Sequence, residues 1–182
     1  MVLYIGNTCY VDVEGVIHMI VIGYQGIGKS TLAREGKGFI DLESSTFYAT
    51  GNRPDDWHCY YCKIAENLSE QGYVVFVSSH KVVRDYFKKS DERAVIICPD
   101  ISLKEKWISK LHERFGRCST NKNLRAWKSA ERYFEENISD LMNDGIPVIV
   151  IPSMGYRLDS LIRNCILTNE EIDFHDRQIW DD

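Results

Sequence analysis

Gly23-Tyr24-Gln25-Gly26-Ile27-Gly28-Lys29-Ser30 fits the pattern G-x-x-x-x-G-K-[ST] at every fixed position. His18-Met19-Ile20-Val21-Ile22 before it is a short apolar, β-branched run that reads as a buried parallel strand. Ser30-Thr31-Leu32-Ala33-Arg34 after it opens a helix. Strand, glycine loop, helix is the context in which this pattern carries chemistry. The glycines let the backbone wrap so that successive N–H groups point inward, and the helix adds its positive dipole end. A polyphosphate fits such a cradle. The expectation is nucleoside triphosphate binding by Gly23, Gly26, Ile27, Gly28, Lys29, Ser30 and Thr31. Lys29 is placed on the terminal phosphates, and the Ser30 hydroxyl in the shell of a Mg²⁺ ion. The rival reading is a glycine-rich turn with no ligand.

The 182 residues suit one domain with a full core, and 44% hydrophobic with 27% charged residues is ordinary for a soluble globular chain. A net charge of −5 argues against coating nucleic acid by electrostatics alone and leaves room for a specific nucleic-acid substrate. Six cysteines without even spacing read as reduced thiols, and Cys59-Tyr60-Tyr61-Cys62 reads as an inert helical pair rather than half a zinc site. No apolar run approaches the ~18 residues of a membrane span. The expected setting is cytoplasmic, with no membrane partner, as a monomer or homodimer.

Outward from the loop, strands and helices alternate. Residues 1–18 form an N-terminal extension in which Val2-Leu3-Tyr4-Ile5 and Cys9-Tyr10-Val11-Asp12-Val13 suit a small hairpin, with Met19 as an alternative start. The first helix is short because Gly36-Lys37-Gly38 stops it. Phe39-Ile40-Asp41-Leu42, Tyr73-Val74-Val75-Phe76-Val77, Ala94-Val95-Ile96-Ile97-Cys98 and Pro147-Val148-Ile149-Val150-Ile151 follow as strands. Between them run helices with apolar stripes: Trp57, Tyr61, Ile64 and Leu68; then Trp107, Ile108, Leu111 and Phe115; then Trp127, Ala130, Phe134, Ile138 and Leu141. An acidic tail, residues 168–182, ends the chain. Continuous apolar strands alternating with helices predict an α/β fold, a five-stranded parallel sheet with helices on both faces in three layers.

Ligands of such a sheet bind beyond the carboxyl ends of its strands. Asp41 and Glu43 lie at that edge, two residues apart and so on one face. A carboxylate there holds the water shell of Mg²⁺, with Asp41 beside Ser30 as the metal pair, or it orients and deprotonates an acceptor hydroxyl. The bland alternative is a capping or solvated acid. Between Lys104 and Lys128 stand eight Lys or Arg against Glu105 and Glu113, a basic block in an acidic chain. Lys110, Arg114 and Arg117, spaced four and three, share one side of a helix. Repulsion among them would be relieved by a bound polyphosphate.

With the loop and Asp41-Leu42-Glu43 in view, residues 19–167 resemble the small P-loop kinases, the group that includes nucleoside monophosphate, shikimate and gluconate kinases. Ile64-Ala65-Glu66-Asn67-Leu68, Gly72 to His80, and Arg84-Asp85-Tyr86-Phe87 are similar to the third-strand region of the gluconate members. The resemblance implies a P-loop NTPase fold and transfer of a phosphoryl group from ATP, with Mg²⁺, to a nucleotide or other small acceptor. It implies a lid at about residues 104–125 whose Arg114 and Arg117 shield the moving phosphoryl. It places Ser79, His80 and Arg84 beside the acceptor, Arg53 on an acceptor phosphate, and the adenine near Ser153-Met154-Gly155-Tyr156. Two departures stand out: Lys29 to Asp41 is shorter than in those families, and Ser78-Ser79-His80 replaces an Asp-Gly-x-Pro-Arg run. Other readings are a kinase of a hydroxyl acceptor, on a sugar acid or a modified nucleic-acid base, and an NTP-hydrolysing switch. The switch lacks a guanine-reading Asn-Lys-x-Asp run here.

Overall fold

The structure is a computed structural model; it describes residues 3–5, 9–11, 17–36, 38–48, 54–90 and 94–164. Arg53 and the acidic tail lie outside them.

Two three-residue strands, β1 (Leu3–Ile5) and β2 (Cys9–Val11), pair antiparallel as the expected hairpin. The hairpin joins the chain's first core strand, β3 (Ile17–Gly23), through Tyr10 opposite His18. Beyond it the sheet is parallel throughout. With β4 (Phe39–Asp41), β5 (Val74–Ser78), β6 (Ala94–Pro99) and β7 (Val148–Ile151), the order across it is β4–β5–β3–β6–β7. The strands of the middle are continuous apolar runs because helices cover both faces: Met19 to Ile22, Val75 to Val77 and Val95 to Cys98 are fully buried. This is the three-layer α/β architecture expected from the sequence.

The covering helices are α1 (Lys29–Glu35), α2 (Trp57–Glu70), α3 (Lys81–Phe87), α4 (Lys104–Arg117), α5 (Asn121–Met142, kinked at Tyr133) and α6, whose described part is 158–164. Two stripes differ from expectation. On α2 the buried face is Trp57, Tyr61, Cys62, Ala65 and Ser69, and Ile64 is 40% exposed. The small side chains of Ala65 and Ser69 let the helix approach the sheet closely, and that rotates Ile64 outward. On α5 it is Ala126, not Trp127, that is buried. Trp127 stays half-buried, stacked on Phe115 of α4.

Running from β3, the chain goes by way of α1 to the β4 edge and returns to β5. From β6 it goes by way of α4 and α5 to β7 on the other edge. The connections after β3 and β6 thus depart in opposite directions, and the crevice beyond the strand ends between them is where a ligand fits.

Candidate functional site

The glycine loop starts where β3 ends. The Tyr24 amide donates to the Ile97 carbonyl of β6 (2.9 Å), so the turn leaves the sheet at the divergence of the two connections. Gly26 (φ 86°) and Gly28 (φ 104°) adopt left-handed backbone, which is why glycine stands at both. At Gly23 the reason is space. A Cβ there would meet the Lys29 side chain at 2.7 Å and Ile27 at 2.6 Å. The lysine stem lies folded over Gly23, and its ammonium donates to the Gly23 carbonyl (2.6 Å). Among the described residues, the amides of Gly26, Gly28, Lys29 and Ser30 have no backbone acceptor, which leaves them able to meet an anion.

Burial pushes the Lys29 ammonium down to about 8. Asp41 and Glu43 pull it up, and Lys122 and Arg114 push it down further. These four come from three parts of the chain, the end of β4, α4 and α5, and all act electrostatically on one amine. Ser30 Oγ donates to Asp41 Oδ2 at 2.5 Å, so the expected metal pair is in contact. Glu43 forms an ion pair with Lys122 at the start of α5, bridging the β4 end to the far wall. The sequence places Lys122 only in the basic block and the expected lid, because nothing local ties it to a residue 79 positions away.

Behind β4 and β5 a buried tyrosine sets the spacing of this edge. Tyr61 of α2 donates its hydroxyl to the Leu42 carbonyl (2.7 Å) and accepts from the Ser78 amide (2.8 Å). It thereby holds the Asp41–Glu43 segment and the Ser78–His80 segment at a set separation. The stripe on α2 predicted its burial but not this bond.

The glycine loop, Asp41, Glu43, Ser78 and Lys122 line one groove of about 2020 Å³, together with Ser79, His80, Arg84, Arg114 and Arg117. His80 is exposed at the start of α3, with its ring edge-on to Trp57 at 5.8 Å. Arg84 is buried. Its guanidinium donates to the Ser79 carbonyl (2.7 Å) and pairs with Asp140 and Asp144. An acceptor anion there competes with two carboxylates, so the predicted grip by Arg84 is weakened by its own partners. Arg114 is half-buried and donates to Asn123 Oδ1 (2.7 Å); Arg117 is largely exposed beside Glu113.

The segment predicted as a lid is fastened to the loop at one end. Trp107 of α4, fully buried, donates its indole N–H to the Gln25 carbonyl (2.9 Å), and Leu111 packs against Gly26. Tyr156, after β7, stacks on Trp107 (6.1 Å between ring centroids) and donates to the Ile27 carbonyl (2.7 Å). Lys110 lies 4.4 Å above the Trp107 ring, and burial, then Arg114, lowers its pKa. Helical periodicity signals that Trp107 is buried. That it lands on the loop is a tertiary fact.

Thr31, exposed in the first turn of α1, completes the predicted set. Among the described residues no cluster of three His, Cys, Asp or Glu could hold a metal by itself, and no helix is long and apolar enough to cross a membrane. The hydroxyl and carboxylate of Ser30 and Asp41 suit Mg²⁺, which keeps several waters and takes one or two protein oxygens. A scan against protein-family models and searches of the curated proteins and of the solved structures return no match to this chain.

Proposed function

We propose that this protein is an ATP- and Mg²⁺-dependent phosphotransferase of the small P-loop kinase type, acting on a nucleotide or other small phosphorylated acceptor. The observation that carries the reading is the meeting of Ser30 and Asp41 beside Lys29 at the mouth of a groove lined with cations. The loop amides and Lys29 bind the triphosphate. Mg²⁺, held through Ser30 and Asp41, supplies neutralisation of phosphate charge. An oxygen of the acceptor attacks the γ-phosphorus; the new O–P bond forms as the β–γ bridging bond breaks, and ADP leaves. When the acceptor is a hydroxyl, its proton passes to Asp41 or Glu43. Arg114 and Arg117 offset charge as the phosphoryl moves. Since Arg84 is held by Asp140 and Asp144, the acceptor's anion is assigned to the α4–α5 wall.

The adjacent Asp41 and Glu43 favour a hydroxyl acceptor as the second reading. The four described cysteines are free thiols, which fits a cytoplasmic setting. A panel of acceptors with labelled ATP tests the proposal. ADP release that depends on an acceptor supports the kinase; release without one means a hydrolase, and nucleotide binding without release means a module that only binds.

The Lys29 amine adds a pH dependence. Its folded pKa lies below the unfolded value of about 10.4, so the unfolded chain binds the extra proton in that window and stability rises with pH from about 8. Bound phosphates favour the charged amine. Nucleotide binding is therefore expected to take up roughly one proton at about pH 9, and almost none near pH 7, with affinity falling as pH rises past 8. Calorimetry in buffers of different ionisation enthalpy measures this; equal proton uptake at the two pH values would contradict the assignment.

A further inference from the structure

Charge in this protein is divided unevenly. Eleven Lys or Arg and six Asp or Glu line the groove, a net +5, in a chain whose net charge is −5. Five of those cations stand on the α4–α5 wall: Lys110, Arg114, Arg117, Lys122 and Arg125. The first three form a stripe along α4 of roughly 10 Å, the length over which one nucleic-acid strand carries about three phosphates. Arg114 spends its bond on the neutral Asn123, and Lys110 sits against Trp107 and the Tyr156 hydroxyl. Among the described residues neither of these nor Arg125 has a carboxylate partner.

We propose that this wall binds the backbone phosphates of a single-stranded nucleic acid, and that the strand carries the acceptor group to the loop. The binding stands by itself; only the strand's part as acceptor rests on the kinase reading. At about 2020 Å³ the groove runs from the glycine loop along the α4–α5 wall, which leaves room for a strand beside a bound triphosphate. Shape decides against a lipid surface, since a flat array of headgroups cannot enter a groove between the sheet edge and α4–α5. An acidic protein overall with a basic groove also rejects strands everywhere else, which confines binding to one place.

The test uses fluorescein-labelled DNA and RNA oligonucleotides, followed by anisotropy over a salt series without ATP. Binding is expected with a log–log salt slope of about −3, from four contacts, Lys110, Arg114, Arg117 and Arg125, at roughly 0.7 each. Arg125→Glu, on the exposed face of α5, is expected to weaken binding roughly tenfold and flatten the slope by about 1. Lys128→Ala, on α5 outside the groove and paired with Glu131, leaves strand binding in place. Absence of binding, indifference to Arg125→Glu, or equal displacement by a mononucleotide or by polyglutamate overturns the proposal. A second arm follows label from γ-labelled ATP. Label transfer to mononucleotides without strand binding keeps the kinase and sinks this inference; strand binding without transfer to any acceptor does the reverse.

Discussion

Lys29→Ala is expected to abolish acceptor-dependent ADP release, lowering turnover by roughly 10²–10³ or more, the loss seen when one preorganised charge is removed from a transition state. The fold is expected to survive. Among the described residues the ammonium bonds only to carbonyls, at Gly23 and more distantly at Val77, and burial already disfavours its charge. The melting temperature of Lys29→Ala is therefore expected within about 4 °C of the parent, the shift that roughly 1 kcal/mol produces in a domain of this size. Turnover at the parental rate with the fold intact would remove Lys29 from the site, and with it the role of the glycine loop. Loss of turnover together with loss of the thermal transition would instead assign Lys29 a structural role.

The second large effect lies at Trp107→Ala. The ring is fully buried between α4, the loop and Tyr156, so truncation removes a large apolar volume from a place where nothing small can move in. A cost of about 3–5 kcal/mol follows, and at 2–4 °C per kcal/mol the melting temperature falls by roughly 6–20 °C. Trp107→Phe separates the packing from the bond. It keeps most of the ring and leaves the Gln25 carbonyl without its indole donor, at about 1–3 kcal/mol, and nucleotide affinity is expected to drop because the loop is less firmly seated. Scanning calorimetry reads the first effect and calorimetric titration the second. If Trp107→Ala melts like the parent, α4 is not seated on the loop.

Much of this molecule is legible from residue order. The glycine pattern, the strand before it and the helix after it are set by neighbours within a few positions, and glycine is needed at 26 and 28 because their φ is positive. The five apolar runs announce a parallel sheet covered by helices, and its three middle strands are buried on both sides. The Asp41-Leu42-Glu43 spacing puts two acids at the ligand edge, and Asp41 does meet Ser30. On α4 and α5 the apolar stripes carry Trp107, Leu111, Ala130, Phe134, Ile138 and Leu141 into the core. They misplace Ile64 and Trp127, because periodicity fixes an apolar arc only to within one residue, and the sizes of Ala65, Ser69 and Ala126 on the opposing side choose the rest.

From sequence alone came the glycine loop, the alternation of strand and helix, and the acids at the sheet's edge, all governed by interactions along a short length of chain. Only the tertiary structure decided which distant groups share the site: Lys122 on Glu43, Tyr156 on the Ile27 carbonyl, Trp107 on Gln25, and Arg84 drawn off to Asp140 and Asp144. Those pairings depend on where crossovers of tens of residues return, and the packing of whole helices against the sheet settles that.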